Sequence, residues 1–492
     1  MRCYKVHWIR GLGYGARHNA SAASAAIRLV FLVLCDIARP ARAQTPAPPE
    51  ASPPAASQSD GSAAEGAAPA TLLPHSESSR WWLSGQINII FQWHPRFPAP
   101  YTGANSLRPE AEHATSRVLT LYTGLQLARN TEILFDVESA GGRGISQAFG
   151  LAGFTNLDVV RNPDLGDKPY LARVILRQII PLSRERIAAT RGPLGLVTST
   201  PARRLELRFG KFGMVDFFDL NSVGNDSHLQ FLNWTVDNNG GYDYAADTRG
   251  YTWGAIVEYQ DRRWGVRFAE ALMPKVANGI DFEWNLRRAH AENVEFEMRR
   301  SLLPHRDGVV RLLGYVNHAN MGSYRDAIND FLAGHTPLPD IAAHPRRTTR
   351  KYGFGVNLEQ AVNRWLTAYA RFGWNEGRHE SFAYTEVNQS VTVGAGASGR
   401  TWRRKQDRAG AALASNAISG DHRRYLALGG RGFLLGDGRL NYRRELIVEG
   451  YYTVHFWRGL FGSFVLQHIN NPGYNRDRGP VLVPAMRLHL EL

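Results

Sequence analysis

The sequence predicts an all-β protein: a transmembrane antiparallel β-barrel that follows a signal peptide and a disordered tail. Short segments in which apolar and polar residues alternate follow one another from Trp81 to Leu492. The composition is 43% apolar and 21% charged, and the mean hydropathy of −0.32 is too polar for a helical membrane protein. A membrane barrel has such values because only every second strand residue faces lipid.

The N-terminal segment has the parts of an export signal. Basic residues precede an apolar run at 29–35, and Ala41, Arg42 and Ala43 have the A-x-A form of a cleavage site. The run is far shorter than the roughly 20 apolar residues that span a bilayer. We therefore expect residues 1–43 to be a signal peptide.

A segment rich in Pro, Ala and Ser follows the signal. Residues 44–80 contain almost no large apolar side chain, so burial cannot offset the entropy lost on ordering them. We expect a disordered periplasmic tail at 44–80 and a barrel over 81–492.

Cysteine usage and charge exclude two classes of function. Both cysteines, Cys3 and Cys35, lie in the predicted signal, so the exported chain would have no thiol for a disulfide, a metal site or a nucleophile. The chain has 58 Lys and Arg against 44 Asp and Glu, and they are interspersed instead of forming the basic stripe that nucleic-acid binding requires. The abundance of Arg fits either a GC-rich genome or an Arg-lined pore.

Several segments show the alternation residue by residue. At 204–209, three apolar residues alternate with three charged ones: Leu205, Leu207 and Phe209 with Arg204, Glu206 and Arg208. A side-chain period of two puts these sets on opposite faces of a strand. The pattern recurs at 118–127, 132–138, 251–259, 294–299, 351–359 and 445–455, and in 251–259 it places Tyr251 and Trp253 on the lipid face. The last segment, 486–492, would close the barrel against 81–93 and leave no unpaired edge in lipid.

Alternating strands also occur in soluble sandwiches and jelly rolls, so further features must decide. The polar faces carry both signs of charge in dense rows, which suits a water-filled lumen. Aromatic residues lie at strand ends, where interfacial girdles belong, as with Trp81, Trp93, Trp264, Trp374 and Trp457. These features favour the membrane barrel.

Five separated segments resemble the carbohydrate-selective porin family of Gram-negative outer membranes. They are ESAGGRGISQAFG at 138–150, GKFGMVDFFDLN at 210–221, DYAADTRGYTWG at 243–254, NHANMGSY at 317–324 and NPGYNRDRGP at 471–480. The resemblance implies a barrel of about sixteen strands, monomeric or trimeric, with short periplasmic turns, long outer loops and a polar constriction lined largely by Arg and Glu. It also implies an outer-membrane location among lipid and lipopolysaccharide, and passive diffusion of small carbohydrates into the periplasm.

A passive channel needs a lumen whose walls replace part of a solute's hydration, and it needs no catalytic group, metal or cofactor. Charged residues on the polar strand faces are the predicted pore lining: Arg204, Glu206, Arg208, Glu295, Glu297, Arg299, Arg371, Glu445 and Glu449. The alternative is that such charges pair across neighbouring strands and only satisfy one another. Aromatic rings pack on the C–H faces of sugars, and the predicted stacking residues are Trp234, Tyr242 and Tyr244.

Two other functions compete with a sugar porin. An Arg-rich lumen also fits a channel that exports an acidic polysaccharide. A glycoside hydrolase on an exported β scaffold would use two carboxylates, for which Asp216 with Asp219, or Glu445 with Glu449, are available. Acids at such spacing are common in strands, and the sequence has no nucleophile elbow, zinc-binding helix or phosphate loop. The sequence therefore predicts a channel and not an enzyme.

Overall fold

The computed structural model describes residues 71–159, 165–345, 347–382 and 385–492. The predicted signal peptide and the predicted tail up to residue 70 lie outside the described residues. Residues 71–80 contact the end of the chain, because Leu72 donates its N–H to the carbonyl of Glu491 at 2.9 Å. This last part of the predicted tail therefore lies against the barrel.

The described chain forms eighteen strands. The first nine are β1 (Trp81–His94), β2 (Glu112–Ala128), β3 (Thr131–Gly142), β4 (Tyr170–Pro181), β5 (Arg186–Ala188), β6 (Ser199–Pro201), β7 (Arg204–Phe212), β8 (Thr252–Gln260) and β9 (Trp264–Ala271). The other nine are β10 (His290–Arg299), β11 (Gly308–Ala319), β12 (Thr349–Ala361), β13 (Leu366–Asn375), β14 (Gln389–Ser398), β15 (Arg408–Ala417), β16 (Glu445–Trp457), β17 (Leu460–Asn470) and β18 (Val481–Glu491). Sixteen of them close into one barrel, and β5 and β6 form a separate hairpin.

Every barrel strand pairs antiparallel with both of its neighbours. β4 pairs with β7 across the small hairpin, and β1 closes the barrel against β18, from Gln86 opposite Glu491 to Gln92 opposite Ala485. Closure leaves no strand edge in lipid, where unpaired backbone groups are costly. The predicted antiparallel barrel of about sixteen strands is confirmed.

The two faces of the barrel follow the predicted alternation. Leu121 and Phe135 are exposed on the outside, whereas Thr120 and Asp136 are buried on the lumen side. Tyr251 departs from its predicted lipid-facing position. It precedes β8, so the alternation of the strand does not govern it, and its hydroxyl reaches inward to Glu138 at 3.1 Å.

Connections differ in length at the two ends of the barrel. Seven turns join strands at the end where the chain termini lie, and most have fewer than ten residues. Eight longer loops join strands at the other end, and they contain the α-helices Trp234–Asp237, Tyr324–Leu332 and Gly420–Ala427. No helix among the described residues is long and apolar enough to cross a membrane.

The apolar core lies inside the barrel, because two of the long loops fold into the lumen. Thirty of the 39 residues of 213–251, here called the lumen loop, are buried, and none is fully exposed. Its aromatic residues pack with those of the loop 143–169 and of the inner wall; Phe154, Phe217, Phe218, Trp234, Tyr244 and Tyr315 belong to one cluster. This packing narrows the lumen and positions the site.

Candidate solute passage

The lumen loop is fastened to β16 by one buried carboxylate. Glu449 accepts the N–H of Leu232 at 2.6 Å and the N–H of Asn233 at 3.0 Å. Asn233 is the N-cap of the helix Trp234–Asp237, because its side chain accepts the N–H of Thr235 at 3.1 Å. Glu449 therefore fixes the start of the helix that occupies the lumen.

The lumen loop is also fastened to β13. Arg371 pairs with Asp219 at 2.9 Å and donates to the carbonyl of Asp237 at 2.6 Å. The backbones also approach closely, since a Cβ placed on Gly241 would lie 2.6 Å from the carbonyl carbon of Gly373. Only glycine allows this distance. The loop is thus held at two places on the barrel wall, β16 and β13.

Glu445 holds the neighbouring loops in the same way. Its carboxylate accepts the N–H groups of Ala152 at 3.1 Å and of Gly473 at 2.8 Å. Three of the predicted pore-lining residues, Glu445, Glu449 and Arg371, therefore bind loop backbone or a loop carboxylate. The same contacts occupy the acid pair Glu445 and Glu449 that a hydrolase would need.

The other six predicted pore-lining residues form a continuous ion-pair network on the inner wall. Glu206 pairs with Arg204 and Arg208, each at 2.5 Å, and Arg208 pairs with Glu258 at 2.6 Å. Two further cations, Arg267 and Arg311, continue the network. Arg267 contacts Glu258 at 2.9 Å and Glu295 at 2.8 Å. Glu297 contacts Arg267 at 3.4 Å, Arg299 at 2.7 Å and Arg311 at 2.9 Å. Buried charges of opposite sign pair with one another here. This arrangement corresponds to the alternative raised from the sequence, in which the charges of neighbouring strands only satisfy one another.

A cavity of about 190 Å³ lies between β1 to β4 and the lumen loop. Its polar and aromatic lining includes Gln86, Tyr122, Glu138, Asp158, Tyr170, Arg173, Asp216, His228, Trp234, Tyr244, Arg249 and Tyr251. None of the nine predicted pore-lining residues is among those that line it in the described part of the chain. This cavity is the candidate passage.

The predicted aromatic residues divide between the passage and the core. Trp234 and Tyr244 line the passage, with ring planes 14° apart and centroids separated by 6.0 Å. Tyr242 packs behind them against Tyr315, at 5.2 Å between ring centroids, and its hydroxyl donates to Asn293 at 2.8 Å. Two nearly parallel and largely buried rings therefore border the passage.

One carboxylate in the passage is surrounded by hydroxyl groups. Glu138 accepts the hydroxyls of Thr120 at 3.0 Å and of Tyr251 at 3.1 Å, and it also accepts the hydroxyl of Tyr170. Burial raises the pKa of Tyr251 well above its ordinary value, and the charge of Glu138 raises it further, so this hydroxyl stays a donor. The guanidinium of Arg249 lies over the Tyr170 ring at 3.7 Å.

The cation Arg173 joins the strand wall to the lumen loop. It contacts both carboxylate oxygens of Asp216, at 2.8 and 2.6 Å, and the carboxylate of Asp136 at 3.2 Å. Asp216 is thus engaged by Arg173, and Asp219 by Arg371, so both members of the other acid pair considered for a hydrolase are in ion pairs.

Sequence reasoning missed Glu138, Arg173, Asp216 and Arg249 as lining residues. A signal for three of them was present, because Glu138, Asp216 and Arg249 lie in segments that carry the family resemblance. Arg173 lies outside those segments, and only the pairing of β4 with its neighbours brings it into the passage. No group of three or more His, Cys, Asp or Glu residues in the described ranges is arranged to hold a metal ion.

Comparison with known proteins gives one family match and several similar folds. The profile of the family described as carbohydrate-selective porin, OprB family, matches residues 104–492. The high-pH structure of Pseudomonas putida OprB superposes with a TM-score of 0.63 at 17% identity, covering 84% of this chain and 94% of that chain. The outer membrane channel DcaP of Acinetobacter baumannii gives a TM-score of 0.45 at 9% identity, covering 84% and 97%. No curated protein is significantly similar to the chain.

Proposed function

The chain belongs to the OprB family of carbohydrate-selective porins, and on that premise we propose that small neutral sugars diffuse into the periplasm along the cavity between β1 to β4 and the lumen loop. Membership of this family means that the protein is a porin for sugars in the outer membrane of a bacterium. Family and fold are those of a channel rather than an enzyme. The route and the residues that act on the solute are the proposal.

The observation that carries the proposal is that one cavity is bordered by two kinds of surface. The aromatic residues Trp234 and Tyr244 border it on the lumen loop, and the hydroxyl groups around Glu138 together with Arg173 border it on the strand wall. A sugar has apolar C–H faces and hydroxyl edges, so it can pack on the rings while its hydroxyls exchange water for wall groups. Such contacts replace hydration without holding the solute tightly.

Charge compensation favours neutral solutes over an acidic polysaccharide. Arg173 is paired with Asp216 and Asp136, and the cations of the wall network each contact at least one carboxylate. A polyanion would have to displace these carboxylates, whose contacts with Arg are short and largely removed from water. The export of an acidic polysaccharide is therefore not the function that the passage supports.

Liposome swelling with glucose, a disaccharide and an amino acid of similar size tests the proposal. Trp234→Ala should change the ratio of glucose to amino-acid flux, because it removes a ring that packs on sugar. Trp253→Ala is the matched control, since Trp253 lies on the outer face of β8 and should leave this ratio unchanged. If wild type and Trp234→Ala had the same ratio of glucose to amino-acid flux, this cavity would not be the sugar route.

We also infer that the barrel assembles as a homotrimer within outer-membrane lipid and lipopolysaccharide. The outer faces of β13, β14 and β15 carry the small residues Ala368, Ala370, Ala395 and Ala411, which would let a second barrel approach closely. Arg350 is exposed on the outer face at the long-loop end, where it suits a lipopolysaccharide phosphate. Native mass spectrometry of the detergent-extracted protein tests both inferences. A trimer should have three times the mass of one chain, and bound lipopolysaccharide should appear as additional mass.

A further inference from the structure

The two ends of the barrel differ sharply in charge. The seven turns at the end with the chain termini, here called the turn rim, are 129–130, 182–203, 261–263, 300–307, 362–365, 399–407 and 458–459. They contain fifteen Arg and Lys residues against four Asp and Glu. The eight long loops contain twenty-one of each sign, so the excess of positive charge outside the strands lies on the turn rim.

The basic side chains of the turn rim point into solvent. Thirteen of the fifteen are exposed, and their carboxylate partners are few: Arg262 pairs with Glu185 and Arg404 pairs with Asp407. Arg300, Arg306 and Arg364 are exposed, with no ion pair to any described residue. The charge of the rim is therefore mostly uncompensated, in contrast to the ion-pair network of the inner wall.

Large apolar side chains are exposed beside these cations, in the same turns or at the adjoining strand end. Leu302 is 68% exposed between Arg300 and Arg306, and Trp365 is 39% exposed next to Arg364. Trp457 is 57% exposed, and the guanidinium of Arg458 lies over its ring at 4.6 Å. Basic residues interleaved with Leu and Trp are typical of segments at the level of lipid headgroups.

We propose that the turn rim binds the anionic phospholipids of the periplasmic leaflet through their phosphate groups. The short turns of outer-membrane barrels face the periplasm, so the rim meets that leaflet. Leu302 and Trp365 would enter the interfacial region and hold the neighbouring arginines at the depth of the phosphates, where the guanidinium can donate two hydrogen bonds to one phosphate. A soluble polyanion would meet the charges but would leave the apolar side chains in water.

Selection for anionic over zwitterionic lipid follows from the charge excess. A zwitterionic headgroup carries a compensating cation, whereas a phosphatidylglycerol headgroup has a net negative charge that an unpaired arginine attracts. The four acids of the rim, Glu185, Asp261, Asp307 and Asp407, oppose this attraction, but two of them are occupied by Arg262 and Arg404. The interaction is independent of the sugar passage, because none of these residues lines it.

Spin-labelled lipids measure this preference directly. The full barrel is reconstituted into phosphatidylcholine vesicles containing a trace of spin-labelled phosphatidylglycerol or phosphatidylcholine, and electron spin resonance gives the fraction of label immobilised at the protein. We expect phosphatidylglycerol to associate about two- to fourfold more strongly than phosphatidylcholine at low salt, and the difference to shrink as salt increases.

The triple variant Arg300→Ser, Arg306→Ser, Arg364→Ser should clearly lower the ratio, because it removes three exposed arginines that lie beside exposed apolar side chains and have no ion pair to a described residue. The matched control removes three exposed arginines from the long loops, Arg96→Ser, Arg424→Ser and Arg476→Ser, and should keep the wild-type ratio. Heat-modified mobility in gels and unchanged conductance show that each variant is a folded barrel. A ratio of one in the wild type, or an equal loss in both triple variants, would overturn the proposal. Binding of soluble polyglutamate without a lipid preference would instead assign the rim to a soluble polyanion.

Discussion

Arg173 and Asp216 form a two-pronged ion pair across the edge of the passage, with nitrogen to oxygen distances of 2.8 and 2.6 Å. Arg173 comes from the strand wall on β4, and Asp216 comes from the start of the lumen loop, directly after β7. The pair therefore contributes to the charge of the passage and holds the loop in position at the same time.

Asp216→Asn should make the channel more selective for anions. The substitution removes one negative charge, and Arg173 keeps only Asp136 as a carboxylate partner, in a confined space where the field is poorly screened. The measurement is the reversal potential in planar bilayers under a salt gradient. Arg173→Gln combined with Asp216→Asn should return the potential towards that of the wild type, and Glu110→Gln in an outer loop should leave it unchanged. If the double variant were as anion-selective as Asp216→Asn alone, Arg173 would not be the source of the anion selectivity.

Glu449→Gln should loosen the lumen loop. An amide supplies one acceptor oxygen instead of two, and it turns an N–H donor towards the backbone N–H of Leu232 or Asn233, which costs about 1–3 kcal/mol for the unsatisfied group. Single-channel recordings should show larger and noisier currents with wild-type barrel stability. Glu110→Gln, at an exposed loop carboxylate, is the control. Quiet currents of wild-type amplitude would mean that the other anchors hold the loop alone.

Arg204→Ser combined with Arg208→Ser should destabilise the barrel. Both cations contact Glu206, which is fully buried, and removing partners of a buried charge costs about 3–5 kcal/mol. The temperature at which the folded band disappears in gels should decrease. The control, Arg129→Ser with Arg203→Ser, removes two exposed arginines that take no part in the ion-pair network and should keep the wild-type temperature. Arg177 also contacts Glu206, at 2.8 Å, and an unchanged temperature in the first variant would show that this partner suffices to compensate Glu206.

Phe135→Arg should destabilise the barrel by about 2–4 kcal/mol if the site lies near the membrane midplane. Phe135 is exposed on the lipid face of β3, where a guanidinium would lose its hydration. Phe135→Leu keeps an apolar side chain and serves as the control. Unfolding in urea from lipid vesicles measures the difference, and equal stability of both variants would place Phe135 outside the hydrocarbon.

Glu380→Gln should remove a pH dependence from the loop 376–388. Burial raises the pKa of Glu380 to about 8, and its carboxylate accepts the N–H of Gly322 at 2.8 Å. The folded loop binds the proton more tightly than the unfolded chain, so its stability decreases as the pH rises from about 4.5 to about 8. Amide exchange at Gly322, corrected for the intrinsic rate, should lose protection over this range in the wild type and not in the variant. Asp330→Asn, at an exposed carboxylate, should behave as the wild type.

The sequence by itself determined the barrel and the two faces of its strands. The alternation at 204–209 predicts Leu205 outside and Glu206 inside, and both lie there, because a side-chain period of two is a local property of a strand. The family resemblance predicted about sixteen strands and a sugar porin, and its segments contain Glu138, Asp216 and Arg249 of the passage.

Only the tertiary structure decided which polar groups meet. Glu449 binds Leu232, which is 217 residues away in the sequence, and Arg371 binds the carbonyl of Asp219 across 152 residues. Periodicity shows that such side chains point into the lumen, but it cannot show whether they meet water, an opposite charge or the backbone of an inward-folded loop. Those contacts depend on the order of strands around the barrel and on the path of the lumen loop, and both are set by packing between distant parts of the chain.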